Sequence, residues 1–106
     1  MNIVNQRTRD WGVGSYVCAD YSQYTKREKE IFRQVLSAVR EDGTCEMINR
    51  ASLKTSGAKM QQWYYNGWVN GAGSGDHRGS GNTAESSWWW LTTAGEQVAR
   101  RALAQP

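Results

Sequence analysis

The chain has few of the residues on which catalysis and metal binding depend. It contains one histidine, His77, and two cysteines, Cys18 and Cys45, which lie far apart and form no CxxC. A zinc site needs more ligands than this, so the sequence predicts no metal, and the cysteines read as two reduced, partly buried thiols. No pair of carboxylates stands at a spacing suggestive of acid–base work, and no nucleophile–base set is present. His77 beside Asp76 sits in a glycine-rich loop, where such pairs arise by chance. The sequence therefore predicts a protein that is not an enzyme and uses no cofactor. Its glycine run is not a phosphate-binding loop either, since GxxxxGK[ST] is missing. Nothing approaches the roughly 18 consecutive apolar residues of a membrane span. Residues 1–7 lack an apolar signal core. These absences predict a cytoplasmic protein that makes no membrane contact.

The unusual abundance is aromatic. Six tryptophans and five tyrosines accompany a single Phe in 106 residues, one domain's worth of chain. A core must then be assembled from large amphipathic rings, each needing a partner or a wet edge for its N–H or O–H. The net charge of +3 suits a nucleic-acid partner without requiring one, and it excludes a DNA mimic.

Periodicity and caps divide the chain into an N-terminal arm or short strand over 1–24 and a domain over 25–106. Thr25 and Glu28 form a capping box. Ile31, Val35 and Val39 then recur at i, i+4 and i+8, which predicts a helix over about 26–41 ended by Gly43. Thr44 can cap a second helix over about 45–53, with Met47, Ile48 and Ala51 inward. A third helix, over about 56–66, puts Met60, Trp63 and Tyr64 on one face and Thr55, Lys59, Gln62 and Asn66 on the other. Gly67 stops it, and Trp68 opens a strand. After the glycine-rich loop at 70–82, Ser86 to Leu91 read as a returning strand. Thr92 or Thr93 then caps a last helix over about 93–103. The apolar members of these faces, Ile31, Val35, Leu36, Ile48, Leu53, Met60, Leu91 and Val98, are the expected core.

This order of elements is that of an α+β winged helix, and two stretches resemble that family in detail. Tyr64-Tyr65-Asn66-Gly67-Trp68-Val69 is similar to the end of a recognition helix leading into a wing. Trp88-Trp89-Trp90-Leu91-Thr92-Thr93-Ala94-Gly95 resembles the aromatic-rich strand with a Leu-Thr-x-x-Gly ending found in regulators of the multiple-antibiotic-resistance and phenolic-acid-repressor types. The resemblance spans roughly 26–103. The stretch between Leu53 and Gly67 is a couple of residues shorter than a standard turn plus recognition helix, and the wing loop is longer and richer in glycine.

The resemblance implies a small transcription regulator that binds double-stranded DNA. Its third helix would lie in the major groove, with Lys59 on phosphate or guanine and Gln62 and Asn66 on adenine. Thr55 and Ser56 would donate to phosphate, and Arg78 at the wing tip would reach the backbone or minor groove. Lys54, Lys59 and Arg78 against Asp76 and Glu85 leave a net of only +1 from Lys54 to Ser87, so further phosphate contacts would have to come from a homodimer or from Arg7, Arg9, Arg100 and Arg101. A rival reading takes the domain as a small inhibitor from a phage or mobile element that grips a host protein complex through aromatics such as Trp63, Tyr64, Tyr65 and Trp88 to Trp90. Neighbouring rings of that run must point to opposite faces of a strand. One of them therefore calls for a dimer partner, another protein or cover by the N-terminal arm.

Overall fold

The computed structural model describes residues 3–6, 8–10, 19–72 and 88–106. Of the glycine-rich loop expected over 70–82, residues 70–72 instead continue a strand that begins at Val69, and the rest, with His77 and Arg78, lies outside the described residues, as do residues 11–18 of the expected arm or short strand. The elements are β1 (Ile3–Val4), α1 (Lys26–Ser37), β2 (Cys45–Glu46), β3 (Ile48–Asn49), α2 (Arg50–Leu53), α3 (Gly57–Tyr65), β4 (Val69–Ala72), β5 (Trp88–Leu91) and α4 (Thr93–Ala104). They make a mixed α+β fold with two small antiparallel sheets, one pairing β1 with β2 and the other ordered β3-β5-β4. Among the described residues no helix is long and apolar enough to cross a membrane.

Helix α1 begins at the capping box: Thr25 Oγ1 accepts from the Glu28 N–H at 3.0 Å, and the Thr25 N–H donates to Glu28 Oε1 at 2.7 Å. It ends at Ser37, four residues before the expected limit. The N–H groups of Ala38 and Val39 fold back to the carbonyls of Val35 and Leu36, which tightens the last turn. Gly43, at φ +89°, then serves a hairpin turn instead of a helix cap. Asp42 accepts from both the N–H and the hydroxyl of Thr44, and the Arg40 N–H reaches the Thr44 carbonyl at 2.7 Å.

The helix expected over 45–53 is corrected by the structure. Thr44 spends its hydroxyl on Asp42, so it caps nothing, and residues 45–49 are mostly extended. Cys45 pairs with Val4, and Ile48 pairs with Trp89. Only Arg50–Leu53 is helical, capped by Asn49, whose side chain accepts from the Ala51 N–H. Ala51 is exposed, whereas Met47 and Ile48 are half-buried. Cross-strand partners more than 40 residues away outweigh a weak local helical preference.

The third and fourth helices follow their predicted signals. Met60, Trp63 and Tyr64 are buried on α3. At its end the Gly67 N–H bonds to the Tyr64 carbonyl and the Trp68 N–H to that of Trp63, a Schellman closure that needs the left-handed Gly67, at φ +83°. Helix α4 is capped by Thr92, whose Oγ1 accepts from the Gly95 N–H at 2.9 Å and donates to the Gly67 carbonyl at 2.6 Å.

These closures bring Trp68 to the centre of the main core. Its fully buried ring meets Tyr21, Tyr24, Phe32 and Trp63 at centroid distances of 4.9, 5.8, 5.3 and 5.1 Å. Ile31, Val35, Leu53, Met60, Leu91 and Val98 are buried with it as expected. Leu36 and Ile48 are only half-buried against its edge.

The run Trp88 to Trp90 resolves in favour of cover by the N-terminal segment. Trp89 joins the main core, Trp88 is half-buried, and Trp90 lies in a second, smaller core with Val4 and Cys45. Its indole N–H donates to the Arg9 carbonyl at 3.0 Å. The Arg9 side chain is itself buried. Its guanidinium donates to the Leu91, Thr92 and Gly43 carbonyls and to Glu96 Oε1, the last at 2.7 Å. Asp10 then accepts from the Thr93 N–H at 2.7 Å, at the positive end of α4.

Two outcomes test this architecture. A Cβ at Gly95 would overlap the Trp68 carbonyl, a backbone group that cannot step aside. Gly95→Ala is therefore expected to cost about 3 kcal/mol in urea unfolding, the upper part of the overpacking range. Glu96 supplies the pH test. Burial works to raise its carboxyl, but hydrogen bonds from Arg100 and Arg9 outweigh this and hold it below the ordinary 4.5. A depressed carboxyl stabilises the fold above its unfolded value, and the contribution is lost as pH falls through the folded one. The parent's advantage over Glu96→Gln should be full at pH 7 and shrink as the solution is acidified below 4.5. An advantage independent of pH would show that the ion pair contributes nothing.

Candidate nucleic-acid interface

The segment α2–turn–α3 carries cations and no acid. From Met47 to Gly75 the sequence holds no Asp or Glu but contains Arg50, Lys54 and Lys59. Pairing elsewhere sharpens the contrast. Arg9 and Arg100 bind Glu96, Arg27 binds Glu30, Arg40 binds Glu46 and Arg101 binds Asp20. Among the described residues Arg33, Arg50, Lys54 and Lys59 have no carboxylate side chain as partner, nor do Lys26 and Lys29 in the first turn of α1. Lys54 links Arg50 and Arg33 in space, because it lines two shallow depressions at once. One is shared with Arg50, Thr55 and Ser56, the other with Arg33 and the Arg27–Glu30 ion pair.

Lys54 holds an unusual backbone. At φ +54° and ψ +45° it is the left-handed cap of α2 and, among the described residues, the one non-glycine with positive φ. Such a conformation costs a residue with a Cβ about 1–2 kcal/mol. The turn is braced from α1, where Arg27 Nη2 donates to the Leu53 and Lys54 carbonyls, each at 2.6 Å. The brace satisfies carbonyls that a helix end leaves open.

The residues expected to touch DNA fall into three groups. Ser56 is exposed and caps α3, its Oγ accepting from the Lys59 N–H at 3.1 Å; Thr55 and Lys59 are half-buried beside it. Gln62 is exposed, on a stripe with Ala58 and Tyr65 at i, i+4 and i+7. Asn66 does not share the exposed face, and the expectation that it lies there beside Lys59 and Gln62 is corrected. It is 8% exposed, accepts from Gln62 Nε2 at 3.2 Å and donates to Tyr21 Oη at 3.0 Å. One residue past the end of α3, its side chain points back toward the segment before α1. Arg78 lies outside the described residues.

Sequence reasoning left Arg50 and Arg33 out of the site and named Tyr65 only for the protein-partner reading. The expected long second helix hid Arg50, which in fact opens α2. Counting charge as far as Ser87 diluted the acid-free stretch with Asp76 and Glu85. Tyr65, 55% exposed, and Tyr21, 41%, are the large apolar side chains left in the open among the described residues. Both lie near the C-terminal end of α3. Cys45 stands apart from the site, fully buried, with burial pushing its thiol up to about 11. That keeps it protonated and inert.

Compared with known proteins, the chain matches no family model, no curated protein and no solved structure. Function must therefore be argued from the site's own chemistry.

The left-handed turn yields its own test. Lys54→Gly should raise stability by about 0.5–1 kcal/mol, the steric relief less the entropy of a glycine. Lys54→Ala should not raise it. Equal unfolding midpoints for the two variants would show that the turn stores no strain.

Proposed function

We propose that this protein is a winged helix-turn-helix regulator that binds duplex DNA, with α3 in the major groove. The observation that carries this reading is the segregation of charge. Arg9, Arg40, Arg100 and Arg101 are paired with carboxylates, while Arg50, Lys54 and Lys59, in a stretch without acid, and Arg33 beside Lys54 are left unpaired. Phosphate neutralisation supplies most non-specific DNA affinity, so a surface that keeps its cations free has the right chemistry. The architecture agrees with the reading. Strand β3 between the first two helices, the α2–α3 pair and the β3-β5-β4 sheet are the parts a winged helix requires, with β4 and β5 as the roots of the wing. Ser56 and Thr55 at the start of α3 suit phosphate, and Lys59 and Gln62 suit base edges.

The rival reading, a grip on a host protein through the tryptophan run, is weaker than the sequence suggested. Trp89 and Trp90 are buried within the chain. That reading then rests on Tyr21, Tyr65 and the half-buried Trp88.

Binding of a random-sequence duplex across a salt series tests the proposal. The parent should bind at low salt with a Kd of roughly 10⁻⁴–10⁻⁶ M near physiological salt. Arg50→Ala, Lys54→Ala and Lys59→Ala should each reduce the slope of log K against log salt by about 1. No binding at low salt, or slopes that ignore all three changes, would transfer preference to the protein-partner reading.

A further inference from the structure

The displaced Asn66 belongs to a chain of hydrogen bonds with a direction. At its inner end Tyr21, although 41% exposed, packs edge-on against Trp68 and stacks with Tyr24 at 5.5 Å. The backbone beside it is tied down as well, since the Ala19 N–H donates to the Asn66 carbonyl at 2.9 Å and the Trp68 indole to the Ala19 carbonyl at 2.6 Å. From Tyr21 Oη the chain passes through the Asn66 amide to one N–H of Gln62. Among the described residues the second Nε2–H and the Oε1 of Gln62 have no partner, and they lie at the exposed end.

We propose that Tyr21 and Asn66 are positioning residues that hold the Gln62 amide ready to read adenine. Adenine shows the major groove an acceptor, N7, beside a donor, N6–H₂. The free N–H and carbonyl of one amide complement that pair. Guanine offers two acceptors, N7 and O6, so the Gln62 carbonyl would face a lone pair. An unrestrained glutamine must freeze several torsions on binding and can present its amide either way round. Here the bond to Asn66 Oδ1 occupies one Nε2–H and leaves the other N–H and Oε1 for the base before DNA arrives. The same relay explains why a polar residue beyond the end of α3 is buried: it supports Gln62 from behind and touches no base itself. This inference rests on the major-groove placement of α3.

The experiment is selection from duplexes with a randomised centre, followed by affinity and salt slope on the selected duplex and its single-base-pair variants. Gln62→Ala should lose adenine preference at one base pair, by about 5- to 150-fold. Tyr21→Phe and Asn66→Leu should flatten preference at that same base pair, with the salt slope and the affinity for random duplex unchanged. Replacing that adenine by 7-deazaadenine should cost the parent several-fold and cost Gln62→Ala nothing. Asn66 is also the C-cap of α3, so thermal melts accompany the series. If Asn66→Leu does not fold, Tyr21→Phe, which removes one oxygen and keeps the ring, decides. Retention of the parent's preference by Tyr21→Phe at the base pair that Gln62→Ala loses would overturn the relay and leave DNA binding standing. A uniform fall in affinity for every duplex would also overturn it, by showing a structural role only. A parent that binds no duplex at low salt would remove the relay together with the DNA reading.

Discussion

Everything in this fold is arranged around the contact between Gly95 and the main chain of Trp68. The first turn of α4 lies so close to that carbonyl that only hydrogen fits at Gly95 Cα. Thr92 locks the approach from both sides, its N–H donating to the Trp68 carbonyl at 3.0 Å and its hydroxyl to that of Gly67. The left-handed Gly67 turns the chain out of α3 at the same point. One small knot of backbone thus sets the angle of α3, the start of β4 and the entry to α4. With the main chain so placed, the Trp68 ring can fill the space between α1 and α3, and the other aromatics pack on it at edge or tilted angles that suit their quadrupoles.

A second constraint lies at the opposite face of the sheet. A strand with three consecutive tryptophans cannot bury all of them on one side, because successive side chains alternate. The chain covers Trp90 with its own N-terminal segment, and the segment is held by charge more than by apolar area. The Arg9 guanidinium has a side-chain exposure of 3% and finds three carbonyls and a carboxylate. A buried charge is tolerable only when its donors are satisfied this fully. The cost of that arrangement is acid sensitivity, because Glu96 must stay ionised.

Electrostatics also separate the two ends of the molecule. Arg9, Arg100 and Arg101 are engaged with carboxylates on or beside α4, which quietens that end. The α2–α3 turn holds its cations unpaired and holds Lys54 in a strained conformation. Strain and unpaired charge both reduce stability, and both gather at functional surfaces more often than elsewhere. Their coincidence on one turn is what draws the proposed interface to α2 and α3.

Local chemistry was legible in the residues. The Thr25–Glu28 box, the Thr92 cap and the Gly67 stop act over three or four positions, so their partners stand side by side in the sequence. The faces of α1, α3 and α4 follow from the same short repeat, and with them most of the core and the exposed Gln62. Other features depended on contacts between distant segments. Cys45 and Ile48 are extended because Val4 and Trp89 stand opposite them. Nothing near Arg9 in the sequence shows that the ends of β5 and α4 would close around it. Asn66 shares a helical repeat with Gln62, and no local signal shows that Tyr21, 45 residues earlier, would draw it inward. Hydrogen bonds within one turn of helix are written into neighbouring residues. A strand pairing, a buried guanidinium or a relay across the fold is decided only when packing brings its partners together.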